Sequence, residues 1–373
     1  MIRFQLGLIF STSGPYAALG QSALCGASMA IDDLRTAGVA DIEPVLRDPG
    51  GDPARYESAT ADVLGAGAVR HVVGAITSWS RKDMIPVLER HGGLLWYPCP
   101  YEGFESNDHV VYLGTAPNHH MLPLIDRVAE TGARRAYLIG SNYVWGWETL
   151  RLARERLGMR LGEVAGERYI PLGSTDFAHV MKEIEDQRPD VIVNSLIGPS
   201  NVAFMRALGE RPGWGSGEPG RVVSCNQTEV DLADLGPAGD GMLSAASFFE
   251  ELADGDFRRR VAARAPNGRV SSFLATSYAA VQTLAEAVAR AGTDDPRAVF
   301  RAASGAPTDT VLGPLDIDAV TRHAALRPHL ALAGQGDFHV IQSAEAPVPA
   351  DPYLTNMPAG KARPFRPDLR IVQ

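Results

Sequence analysis

The chain has 373 residues, beyond the roughly 250–300 at which a single core stops growing, so two lobes are expected. Its 35 basic and 44 acidic side chains give a net charge of -9 spread along the chain, which disfavours direct binding to nucleic acid or to an anionic membrane. Three distant cysteines (Cys25, Cys99, Cys225) without C-x-x-C spacing signal neither a disulfide framework nor a zinc site, and no apolar stretch reaches the ~20 residues that span a bilayer.

Ile2 to Phe10 reads as a strand, with no charged n-region or cleavage site before it, so a cytoplasmic location is expected. S-T-S-G-P (Ser11 to Pro15) follows, then a helix from about Gln21 to Arg35, a strand Ile42 to Leu46 and the turn R-D-P-G-G-D-P. Pro53 opens a helix. Val69 to Ile76 is the third strand, Arg81 to His91 a helix, Gly93 to Trp96 and Val110 to Leu113 strands four and five. Strands separated by helices argue for right-handed βαβ units and a parallel sheet.

The same order restarts at Ala136 to Ile139, continues through a helix to about Leu157, a strand Arg168 to Pro171 and a helix Phe177 to Gln187, and reaches the apolar strand Val191 to Ser195. A helix to Leu208, a loop rich in Gly and Pro (Gly209 to Gly220) and strands Val222 to Cys225 and Met242 to Phe248 complete this half. Then come a long helix (Ser271 to Ala291), a short one (Val299 to Ala303) and strands at Val311 to Ile317, Leu330 to Ala333 and Phe338 to Gln342. This tail is too small for a third domain and is expected to complete the two lobes through several crossings. The expected fold is α/β: two doubly wound parallel-sheet lobes joined by a multi-crossover hinge. Residues 1–116 plus 249–320 would form one lobe, 117–248 plus 321–345 the other, and 346–373 a C-terminal extension packed on them.

Ligands of open parallel sheets bind beyond the carboxyl ends of the strands. Those ends are Ser11 to Pro15, Asp48 to Gly51, Thr77 to Ser80 and Tyr97 to Tyr101 in the first half, with Ser141 to Trp145, Ile197 to Asn201 and Asn226 to Thr228 in the second. They carry Ser, Thr, Asn, Tyr and Trp and few charges, an inventory suited to a small neutral hydrogen-bonding ligand. The most distinctive of them is W-Y-P-C-P-Y-E-G-F-E (Trp96 to Glu105), where prolines fix the backbone between Tyr97, Cys99 and Tyr101. Ser78 sits where a strand gives way to a helix: it either caps that helix or offers its hydroxyl to a ligand. Tyr143 and Trp145 are either core or ligand walls.

No G-x-S-x-G, P-loop or H-E-x-x-H is present, adjacent His119 and His120 point about 100° apart on a helix, and the glycines of 213–220 precede a strand rather than follow one. Catalytic residues, metal and cofactor are therefore expected to be none, and an enzyme is disfavoured.

D-P-G-G-D-P-A-R-Y (Asp48 to Tyr56), S-W-S-R-K with V-L-E-R (Ser78 to Arg90), Y-P-C-P-Y-E-G-F-E (Tyr97 to Glu105), V-Y-L-G-T-A-P-N (Val111 to Asn118), I-G-S-N-Y (Ile139 to Tyr143), Y-I-P-L (Tyr169 to Leu172) and D-P-Y (Asp351 to Tyr353) run through nearly the whole chain. In these segments it resembles the type I periplasmic-binding-protein superfamily, and within it the amide-sensing negative regulators of aliphatic amidase operons. The resemblance implies a cytoplasmic sensor that closes on a short aliphatic amide and releases an RNA-binding antiterminator protein, Ser78 meeting the ligand, Tyr97 and Pro100 shaping its wall, Tyr143 reaching across. Ile197 and Asn226, at strand ends, complete the candidate ligand-binding set. Two positions depart from the family pattern, Cys99 for threonine and Trp145 for tyrosine, and altered selectivity is expected there. A homo-oligomer is compatible with the sequence. The competing reading is a substrate-binding subunit of an ABC uptake transporter for urea, short amides or branched-chain amino acids.

Overall fold

A computed structural model of the chain describes residues 2–160, 162–214 and 219–355. The first lobe is built on β1 (Ile2–Ile9), α1 (Ala17–Thr36), β2 (Ala40–Arg47), α2 (Pro53–Gly65), β3 (Val69–Gly74), α3 (Ser78–His91), β4 (Leu94–Tyr97) and β5 (Val110–Tyr112). Its five strands lie in the order β2-β1-β3-β4-β5, all parallel. β4 and β5 are unbroken apolar runs, buried along their whole length, because helices cover both faces of the sheet.

The chain then crosses and forms α4 (Met121–Glu130), β6 (Arg135–Ser141), α5 (Val144–Arg160), β7 (Glu163–Ile170), α6 (Ala178–Gln187), β8 (Val191–Ser195), α7 (Gly198–Gly209), β9 (Val222–Ser224), α8 (Glu229–Leu235) and β10 (Leu243–Ala246). It returns through α9 (Gly255–Ala262), α10 (Ser272–Ala291), α11 (Pro296–Ala303) and the short strands β11 (Thr308–Thr310), β12 (Gly313–Ile317) and β13 (Ala324–Ala325), then crosses again to β14 (His329–Gly334) and β15 (Asp337–Ser343). The second sheet runs β15-β14-β10-β9-β8-β6-β7, with β14 and β15 antiparallel additions to a parallel set. α10 belongs to the first lobe, where it packs on α1 so closely that a Cβ on Gly26 would meet the Leu274 carbonyl oxygen at 2.1 Å; Ser22 and Ser271 share a buried hydrogen bond of 2.7 Å across that contact.

The α/β architecture of two doubly wound lobes is as expected, but several elements differ. α4, α8 and α9 are helices that no strong pattern announced; each is ten residues or shorter. β7 begins at Glu163 rather than Arg168 because an edge strand needs only one buried face and its first five residues are half-buried or exposed. Residues 321–326 stay with the first lobe instead of the second: His323 pairs with Tyr112 at the end of β5, and Ala324 and Ala325 pair with β12. Of the C-terminal extension, residues up to 355 lie on the hinge, where Leu326 pairs with Val348 and Asn118 Nδ2 donates to the Pro349 carbonyl. Residues 356–373 lie outside the described residues, as do 215–218 of the Gly-rich loop.

Candidate functional site

In each sheet the strand order reverses once, between β1 and β3 in the first and between β6 and β8 in the second. The crevice that opens at such a reversal is where an open parallel sheet offers strand ends and helix N-termini together. The two crevices face one another. Between them lies a cavity of about 30 Å³ lined by Tyr16, Leu19, Ile76, Thr77, Ser78, Pro100, Tyr143, Trp145, Ile197, Asn226 and Phe273. A further recess of about 10 Å³ adjoins it on the hinge side and shares Pro100, Asn226 and Phe273. None of the lining residues is charged.

Ser78 does not cap α3. Thr77 does, its side chain accepting from the Ser80 amide at 3.1 Å and sharing a hydrogen bond with the Ser80 hydroxyl at 2.6 Å. Ser78 becomes the first helical residue, and its hydroxyl donates to the buried carboxylate of Glu102. Glu102 pairs with Arg81 at 3.2 Å, and Arg81 pairs with Glu105 at 2.7 Å. The Arg81 side chain is wholly buried, its guanidinium 4.8 Å from the Tyr97 ring centroid and 4.9 Å from that of Tyr101. Burial works against the Arg81 charge, but Glu102 and Glu105 override it and hold the group protonated. In turn, against a burial that would raise it, Arg81 and Lys82 hold the Glu105 carboxyl at about 2. This cluster bolts the Y-P-C-P-Y-E turn onto the first turn of α3, which sets Pro100 and Ser78 side by side on the cavity wall.

Six of the eight expected ligand residues meet there: Ser78, Pro100, Tyr143, Trp145, Ile197 and Asn226. Tyr97 and Cys99 do not contribute to the lining. The Cys99 thiol donates at 3.2 Å to the carbonyl of Ala75, a residue held at φ 60° after β3, so Cys99 supports that turn from behind. The Tyr97 hydroxyl is buried without a well-formed hydrogen bond among the described residues, the guanidinium lying over its ring. From the second lobe, Tyr143 stacks on Trp79 of the first, 6.3 Å and 22° between rings. Burial raises the Tyr143 phenol well above its usual range, with Tyr16, Tyr97 and Glu102 acting in the same direction, so it is a neutral donor. Asn226 spends its amide on the Leu196 carbonyl at 3.0 Å, and the Ile197 amide donates to Ser141 Oγ at 3.2 Å.

Sequence reasoning missed Tyr16, Leu19, Ile76 and Phe273 as lining, and Arg81 with Glu102 as the support; Thr77 lay in a named strand end but outside the candidate set. Tyr16 directly follows a strand end and was within reach of that rule. Phe273 sits on a helix remote in sequence and carries no local signal. His119 and His120 are buried singly, donating to the carbonyls of Val348 and Tyr101. Among the described residues no group of three His, Cys, Asp or Glu could hold a metal ion, and no helix is long and apolar enough to cross a membrane.

A family model described as "Periplasmic binding protein domain" matches residues 4–359. The chain is 26% identical over 320 residues to the Leu/Ile/Val-binding protein BraC3 of Rhizobium johnstonii, covering 80% of this chain and 82% of that protein. It is 22% identical over 348 residues to the Leu/Ile/Val-binding protein homolog 6 of Brucella melitensis, covering 89% and 88%. In structure it is similar to a solute binding protein of an ABC transporter from Rhodopseudomonas palustris in complex with p-hydroxybenzoic acid (TM-score 0.82, 20% identity, 95% of this chain and 99% of that one). It is also similar to LivJ from Streptococcus pneumoniae in complex with isoleucine (TM-score 0.78, 19% identity, 91% and 98%).

Proposed function

The chain belongs to the periplasmic-binding-protein domain family, and from that premise we propose that it is a solute receptor that closes its lobes on a small, neutral, hydrogen-bonding molecule and presents it to an ABC-type uptake transporter. The cavity carries this reading. Its lining is uncharged, and its 30 Å³ accommodates roughly two or three water-sized groups. A short amide or urea fits that space with little opening, whereas a branched-chain amino acid or a benzoate demands wider lobes and partners for its charges. Transport is supported by the structural neighbours, described as a solute binding protein of an ABC transporter and as a branched-chain amino acid transporter substrate binding protein.

A second reading keeps the same ligand and changes the outlet: a cytoplasmic regulator of the AmiC type that holds an antiterminator protein and releases it when the amide binds. One observation favours it. The segments that carry the resemblance to such regulators, S-W-S-R-K and Y-P-C-P-Y-E-G-F-E, are those whose side chains build and brace the cavity. On either reading the protein binds and does not turn over its ligand.

Calorimetry against acetamide, propionamide, lactamide, urea, leucine, isoleucine and benzoate tests the ligand class; binding of the amino acids or benzoate with no binding of any amide or urea overturns it. Deletion of the gene separates the outlets. Lost uptake of labelled amide identifies a transport receptor, and amidase expression without inducer identifies a regulator.

A further inference from the structure

A second cavity, of about 370 Å³, lies at the other end of the first lobe, where β4 and β5 enter the sheet rather than leave it. That size falls among small-molecule sites, roughly 300–1,000 Å³. Unlike the cleft, its wall is charged: Arg322, Arg297, Glu89 and Asp108 line it together with His109 and Phe300. Arg322 sets this cavity apart. Its side chain is 15% exposed, so the guanidinium is largely desolvated, and it lies 3.7 Å from the Phe300 ring centroid, which fixes its plane. Arginines withdrawn from solvent elsewhere are better matched: Arg156 holds both oxygens of Asp126, and Arg269 spends Nε, Nη1 and Nη2 on Glu250, Gly336 and Asp337. Arg322 makes one such bond, from Nε to Asp108 at 3.2 Å, and that carboxylate is 91% exposed. Its Nη1 and Nη2 meet no acceptor among the described residues. Burial lowers the Arg322 pKa against the pull of Asp108; at Arg269 burial acts the same way, and Glu250 with Asp337 override it. Arg297 adds a second guanidinium to the wall, exposed and without an ion pair among the described residues. The two carboxylates are already engaged, Asp108 by Arg322 and Glu89 by Asn107 Nδ2 at 3.0 Å.

We propose that this cavity binds a small oxyanion, a carboxylate or a phosphate, whose oxygens take the two free Nη groups of Arg322 as a fork while Arg297 supplies a second positive charge. A guanidinium held flat against a ring is pre-organised for that contact and loses little freedom in making it. Opposite charges on the wall nearly cancel at long range, so the attraction is local and the affinity modest, with a Kd of about 1 mM. The site lies at the far end of the sheet from the cleft and does not depend on what the cleft binds.

Succinate and inorganic phosphate are the probes, with chloride at matched ionic strength as the control. Calorimetry on the full chain is expected to show one-to-one binding of at least one probe. Arg322→Lys, which keeps the charge and loses the fork, weakens it about tenfold, and Arg297→Gln, a change at an exposed position, about threefold. Binding of succinate alone assigns a carboxylate, of phosphate alone a phosphate group, and of both an oxyanion of either shape. In isotope-labelled wild-type protein, the His109 ring resonance, identified by its loss in His109→Gln, shifts on saturation with the bound probe and not with chloride. That measurement stands even if an arginine variant folds poorly. Binding of neither probe overturns the assignment. So does an affinity within twofold of wild type in folded Arg322→Lys, or a His109 resonance that stays put at saturation or moves equally with chloride.

Discussion

Arg81 is a cation with no contact to solvent and with two carboxylates, Glu102 and Glu105, in hydrogen-bond range. Such a pair adds little by its presence, since desolvation offsets much of the Coulomb gain, but removal of one partner strands the others. Arg81→Met is therefore expected to cost about 3–5 kcal/mol in chemical denaturation, and adding Glu105→Gln to recover part of it. Cys99 is the contrasting case. Its thiol faces the Ala75 carbonyl, not the cavity, so Cys99→Thr, which restores a hydroxyl donor at that place, is expected to leave the ranking of ligands in calorimetry unchanged. Of the two residues, Cys99 and Trp145, at which altered selectivity was expected, only Trp145 lines the cavity.

Helix ends carry much of the site, because strands deliver their carboxyl ends to the crevice and the next helix begins there. Thr77 takes the capping duty on α3, which frees Ser78 for Glu102. At the start of α8, Thr228 and Asp231 form a capping box, while Glu229 accepts from the Glu250 amide at 2.7 Å, on the crossing that follows β10. The second Glu229 oxygen is buried without a partner, and burial raises its carboxyl from 4.5 to about 8. A carboxyl whose folded pKa lies above the unfolded one binds its proton more tightly in the native state, so folding stability falls as pH rises from about 4.5 to about 8. Glu229→Gln mimics the protonated form. Its melting temperature is expected to match wild type near pH 5 and to exceed it at pH 8 to 9; equal melting temperatures across that range would contradict the burial argument.

Closure joins the two lobes at few points. The Trp79–Tyr143 stack and the Arg151 guanidinium 4.9 Å from the Phe104 ring bridge the cleft. Opposite them Gly198, at φ 58° on the first turn of α7, comes so near the first lobe that a Cβ there would stand 2.7 Å from the Pro15 carbonyl oxygen. Gly198→Ala combines backbone strain with that contact. It is expected to shift the lobes toward an open state, seen as a larger radius of gyration by small-angle scattering and a weaker response of that radius to ligand; a closed, ligand-responsive variant would show that the approach is dispensable. Much of the fold was legible in the chain itself: apolar runs such as Val191–Ser195, buried on both faces, announce parallel strands, and the strand-end rule brought six of its eight candidate residues to one uncharged cavity wall. The amphipathic but short α4, the half-exposed start of β7 and the loyalty of residues 321–326 to the first lobe gave no such periodic signal. Within the Y-P-C-P-Y turn, only the tertiary structure decided that Pro100 faces the cavity while Tyr97 and Cys99 turn behind it. The reason is physical: alternation of apolar and polar residues reports burial along one element, whereas the aim of a side chain depends on ion pairs 21 and 24 residues apart, on a histidine from a hinge crossing that donates to the Tyr101 carbonyl and on a phenylalanine from α10.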